Sequence, residues 1–298
     1  MTEEQIEAYL NQLRAMGYTE DVVEVYRQQL AQTLGMTEAM TEFNQNMNQF
    51  NEFFGGLLDD DDEEDDEFYE QQETDLTLAE QWGVACGANL AYRNGQPLNI
   101  LASGLDKQST RHLFSSWWDV DSREELLKTL NWLEAEGHRN DFEFILQLYS
   151  LYDMAEAKKY IRQNVSGDMD EETEIERLRH MRDAKEQFTQ DGLFTADSSA
   201  PNMMIWDFGR MINLCRYGID AGYLQPEEAM ERINQAAEKI QKSYNSWAEL
   251  GIGYIFGRFL WNGGKDYAEW RDEMQVLLTH PESPWTQLPW DTYLGVRH

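Results

Sequence analysis

Cysteine is nearly absent from this sequence: Cys86 and Cys215 are the two examples in 298 residues. Both fall inside apolar helical patterns. Each therefore reads as a small core residue in a reducing, cytoplasmic compartment, and a disulfide framework is excluded. Long apolar runs are also missing. The longest, Leu250 to Trp261, has twelve residues and carries Arg258, which is too short to cross a bilayer. The opening MTEEQIEAYLNQL has neither a basic n-region nor an apolar h-region, so no secretory signal is expected. Basic residues are scarce, with 24 Lys and Arg against 56 Asp and Glu and a formal net charge of −32. A field of that sign repels nucleic acid and anionic membrane, and it attracts basic proteins.

Signatures of chemistry are sparse as well. The five histidines, His112, His138, His180, His280 and His298, are scattered without ligand spacing. No HExxH, CxxC, GxSxG, P-loop or GxGxxG occurs. The expectation is therefore no metal, no cofactor and no assignable catalytic residue. His138 follows a helix stop at Gly137 and reads as a capping or packing residue.

What is present is apolar and aromatic mass: 41% hydrophobic residues, with ten Trp, fourteen Tyr and thirteen Phe. That suffices for a sizeable core. Apolar positions recur at helical spacing, and no alternating run makes a strand. The fold class expected is all-α: a multi-helix globular domain over 76–298, a small N-terminal helical appendage over 1–57, and an acidic flexible linker over 58–75. The linker contains DDDDEEDDE, residues 59–67, whose like charges cannot neutralise one another. Residues 1–75 hold 21 acids against 2 bases, so most of the imbalance sits in the first quarter of the chain.

Inside the large domain, punctuation marks the helices. LTLAEQWGVACGANLAYRNG reads as one helix stopped by Gly95 and Pro97. Asp121 and Glu124 have capping-box spacing ahead of a helix that Gly137 ends. Helices follow over about 141–163 and 170–190. Pro226 suits a first helical position, Ser246 caps a helix over 247–262, and Gly263 and Gly264 close it. The Pro- and Trp-rich tail is expected to pack back in extended form.

The stretch WDFGRMINLCRYGIDAGYL, residues 206–224, raises the functional question. On a helical wheel, Met204, Ile205, Phe208, Met211, Ile212, Cys215 and Ile219 form one apolar arc. Trp206, Arg210, Leu214 and Tyr217 line the other side, beside Asp207. Large aromatics on both sides imply a helix buried all round. Asp207 and Arg210, three apart, can pair. The first reading is internal bracing, since a buried arginine needs a partner. The alternative is a polar pocket. On the helix 247–262, Tyr254, Arg258 and Trp261 share a face with Trp247, and Gly253 and Gly257 admit a close neighbour. Packing of the two helices would frame an anion-binding pocket from Trp206, Asp207, Arg210, Arg216, Tyr217, Tyr223, Tyr254, Arg258 and Trp261.

The run WDxxRxxxxxRxGxxxGY, together with SWAELGIGYIFGR and WLEAEGHR, resembles a bacterial family catalogued as domain of unknown function 1266, the YbeU/YbeR-like proteins. The resemblance covers about residues 76–295. It implies a bacterial, cytoplasmic helical domain and carries over no catalytic residue. Taken with the charge, the leading expectation is a non-enzymatic interaction module that binds a basic protein partner, in one version neutralising a toxin or effector as an immunity protein does. Neither nucleic acid nor membrane is expected as a partner. The alternative expectation is an enzyme or small-molecule binder using the Arg/Asp/aromatic pocket.

Overall fold

Every regular element described in the structure is a helix, and among the described residues there is no strand. The structure is a computed structural model, which describes residues 72–164, 170–195 and 198–295. The appendage helices and the acidic run 59–67 lie outside the described residues. The chain divides into two units, one of residues 1–63 with 187–198 and one of residues 64–186 with 199–298. All that follows concerns the second. Four residues of the expected linker, 72–75, are described, and Gln72 is tied by backbone to the side chain of Asn99, at 2.7 and 3.2 Å.

The helices run in order α1 (Leu78–Ala85), α2 (Ala88–Arg93), α3 (Lys107–Trp118), α4 (Arg123–Ala135), α5 (Asn140–Leu151), α6 (Met154–Asn164), α7 (Glu171–Gln190), α8 (Met204–Asp220), α9 (Pro226–Ser243), α10 (Trp247–Asn262), α11 (Tyr267–Thr279) and α12 (Pro284–Gln287). At α8, every residue from Ile205 to Gly218 is buried. Helices α2, α3, α4, α9 and α10 all pack on it. An apolar side chain wholly removed from water contributes about 1.5–3 kcal/mol, so a helix buried along its whole length anchors the domain.

Caps set most boundaries, with a few departures from expectation. The single helix expected over 77–95 is interrupted at Gly87, whose carbonyl accepts a 2.9 Å bond from Asn213 Nδ2 on α8. A β-carbon there would lie 2.8 Å from that same nitrogen, so α8 itself imposes the break. The helix expected over 141–163 breaks at Asp153, which accepts from the amides of Ala155 and Glu156. The box before α4 is built one residue later than Asp121 and Glu124: Ser122 accepts from the Glu125 amide, and Glu125 accepts from the Asp121 amide. In the tail, Ser283 starts a short helix, α12, and Trp285 stacks on Trp247.

Helices α8 and α10 meet through exchanged glycines. A β-carbon on Gly257 would stand 2.6 Å from Trp206 Cβ, and one on Gly209 would stand 3.1 Å from the Tyr254 ring. Each helix thus seats its partner's aromatic in a gap left by its own glycine.

Candidate functional site

Asp207 is wholly buried and fully committed. Its two oxygens accept from the amides of His138 (2.9 Å) and Arg139 (3.0 Å), from Arg139 Nη1 (3.0 Å) and from Arg210 Nη2 (2.6 Å). Burial alone would raise its carboxyl, but His138, the Arg210 charge and the Arg139 amide hold it below the usual carboxylate value. This carboxylate pins the turn after α4 and so fixes the place of the His138 ring.

Arg210, itself buried, donates from Nε to the Trp206 carbonyl at 2.6 Å, and its guanidinium carbon lies 4.0 Å from the centre of the Trp206 ring. A guanidinium has only donors, so in the 3.1 Å contact between Arg210 Nη2 and His138 Nδ1 the imidazole nitrogen accepts. On α10, Arg258 forms a two-nitrogen pair with Asp266, Nε at 3.1 Å and Nη2 at 2.5 Å from Oδ2. Asp266 also accepts from Asn262 at 2.7 Å. Against the upward push of burial, these contacts hold Asp266 at about 2.

The two arginines border one cavity of about 1150 Å³. Trp206 and Tyr217 of α8 line it together with Tyr254 and Trp261 of α10. Trp118 of α3, Trp132 of α4 and Trp270 of α11 complete the aromatic wall, and His138, Asp266, Arg93, Asn94 and Gln96 add polar groups. Six of the nine residues expected at a pocket therefore meet there. Asp207 sits behind it as described. Arg216 is also behind it, fully buried, donating to the carbonyls of Pro97 (2.6 Å), Ala102 (2.9 Å) and Leu101 (3.4 Å) and to Asn213 Oδ1 (3.3 Å). It is thus satisfied by neutral acceptors and not by the ion pair that burial seemed to require, and burial pulls it down to about 10. Tyr223 donates to the Asp121 carbonyl at 2.8 Å and stacks under Arg111, bracing the α3–α4 corner.

Three donors at the cavity are left over. Among the described residues, Nη1 of Arg210, Nη1 of Arg258 and the hydroxyl of Tyr254 have no hydrogen-bond partner. Tyr254 is 1% exposed, and burial pushes its hydroxyl well above the usual phenol value although both arginine charges pull it down. It is a protonated donor at neutral pH. Arg93, by contrast, is occupied by Glu269 and Glu273. Three unused donors, two of them cationic, in a cavity walled by indoles can bind an anion.

Sequence reasoning passed over His138, Trp118, Asp266 and Trp270. Arg258 and Asp266 are eight apart and face each other because the Gly263–Gly264 turn folds the start of α11 back beside the end of α10, beyond the reach of any i, i+4 rule.

Comparison with known proteins adds a family. A family model described as "Protein of unknown function (DUF1266)" matches residues 114–290, a stretch containing Arg210, Tyr254 and Arg258. The uncharacterized protein YbeR of Escherichia coli K12 is 25% identical over 153 residues, covering 51% of this chain. The match spans 58% of that relative's length. No solved structure matches.

Proposed function

The chain belongs to the DUF1266 family, and on that premise we propose that its helical domain binds a small organic anion in the cavity between α8 and α10. The observation that carries this reading is the set of unpartnered donors, Arg210 Nη1, Arg258 Nη1 and the Tyr254 hydroxyl, on one indole-walled space. The acids that neutralise Arg210 and Arg93 lie behind the lining, so the cavity presents positive charge inside a protein of net charge −32. The reading assigns binding and no catalytic step.

Titration with the fluorescent anion anilinonaphthalene sulfonate tests it. The dye is expected to saturate at one site per chain and to lose at least tenfold in affinity in Arg258→Gln. Equal binding by the variant would remove the cavity from consideration.

The acidic exterior supports a second reading, capture of a basic protein partner, of which neutralisation of a toxin or effector is one version. The free, buried Cys86 and Cys215 fit a cytoplasmic setting for either. A low-salt pull-down from the native host should then recover a basic protein that about 0.5 M salt releases, because screening shortens the reach of surface charge to a few ångströms.

A further inference from the structure

We infer that the cavity is built for a nucleoside monophosphate or an anion of the same plan: a flat heterocycle at one end and a phosphate at the other. The inference rests on the anion-binding reading above and adds the far end of the site. There, Tyr217 donates to Gln96 Oε1 at 3.0 Å and accepts from Asn94 Nδ2 at 3.2 Å. The bridging hydroxyl fixes which way both amides face. Among the described residues, Gln96 Nε2 and Asn94 Oδ1 are left without partners, although Gln96 is 3% exposed. One free donor beside one free acceptor matches the hydrogen-bonding edge of a nucleobase, which carries the same two functions side by side.

The spacing agrees. Tyr217 and Arg210 lie seven residues apart on the straight helix α8, so the amide end and the cationic end are about 10 Å apart along its axis. That is the reach of a nucleoside monophosphate from base edge to phosphate, and it exceeds that of a simple aryl carboxylate. The cationic end supplies Arg210, Arg258 and Tyr254, a donor set suited to a phosphate's oxygens. Between the ends stand indole faces, and a stacked base gains about 1–3 kcal/mol on such a platform.

Displacement of bound anilinonaphthalene sulfonate from the full chain decides the point. The probes are the four common ribonucleoside monophosphates, adenosine and inorganic phosphate. At least one monophosphate should displace the dye at micromolar concentration. Adenosine and inorganic phosphate should each be weaker than the best monophosphate by tenfold or more. Gln96→Leu should flatten the preference among bases, and Arg258→Gln should abolish the advantage of nucleotide over nucleoside, with both variants checked for native melting. If the dye binds and no monophosphate displaces it, the nucleotide inference falls while the anion site stands. If inorganic phosphate competes as well as the nucleotides, the heterocycle end plays no part and the inference is overturned. Failure of the dye itself to bind would remove both.

Discussion

Gly137 has no space for a side chain because the Asp207 carboxylate already fills it: a β-carbon there would lie 2.2 Å from Oδ2. The turn after α4 is thus moulded around a charge carried by α8. Replacing Asp207 with alanine strands Arg139 and Arg210 in the interior. Removing one partner of a buried ion pair costs about 3–5 kcal/mol, and urea unfolding of Asp207→Ala should show a loss in that range. A loss below about 1 kcal/mol, the scale of surface pairs, would mean that the buried network contributes little.

Arg258→Gln should behave oppositely. Arg258 is about a quarter exposed, and its partner Asp266 keeps the bond from Asn262. The variant is expected to melt close to the parent while losing the anilinonaphthalene sulfonate site. Separation of folding from binding at this residue, against their coupling at Asp207, distinguishes the lining of the cavity from its foundation.

Acid stability carries a signature of the same pair. Asp266 is held at about 2 against an ordinary value of 3.8. A carboxyl depressed on folding contributes stability above its unfolded value and loses it as pH falls through the folded one. That contribution should therefore be full above about pH 4 and fade towards pH 2. Comparing urea midpoints of the parent and Asp266→Asn from pH 5 to 2 isolates it, since relief of general acidic repulsion affects both alike. The gap between the two should narrow on acidification, and a constant gap would contradict the assignment.

Gly257→Ala should destabilise despite the better helix propensity of alanine, worth about 1 kcal/mol. The added methyl meets Trp206 at backbone-proximal atoms that cannot swing aside, and overpacking of this kind costs about 1–3 kcal/mol. Calorimetric melting reads the net effect. An unchanged or raised midpoint would show that α8 and α10 are less tightly apposed than described.

Thiol accessibility gives an independent check on the core. Burial drives Cys215 up to about 12 and raises Cys86 too. Neither thiolate should form at pH 8 in the folded protein, so a chromogenic disulfide should label neither within hours and both in denaturant. Rapid native labelling of either would place it outside the core.

How far all this was legible from the sequence varies from residue to residue. Ser246, Gly263 and Pro226 announced their helix ends because a cap is a local bond between near neighbours. The full burial of α8 was readable from aromatics on both faces of one wheel. The break at Gly87 was not, because the atom that imposes it, Asn213 Nδ2, comes from 126 residues away. For the cavity, the arginines and aromatics of α8 and α10 were visible as faces of two helices. Gln96, Asn94 and Asp266 were not, because nothing but tertiary folding brings those polar residues to the same space. Arg216 looked like a member of the set for the same reason: its partners are loop carbonyls, which have no sequence signature.

The exchange of glycines between α8 and α10 has a bearing on selectivity. Trp206 sits in the notch at Gly257 while Tyr254 sits in the notch at Gly209, so neither helix can slide or roll without unseating both rings. The gap between Arg210 and Arg258 is then a fixed gauge, set before any guest arrives. A guest would be chosen by whether it fits that jaw, with little reshaping of the host on entry.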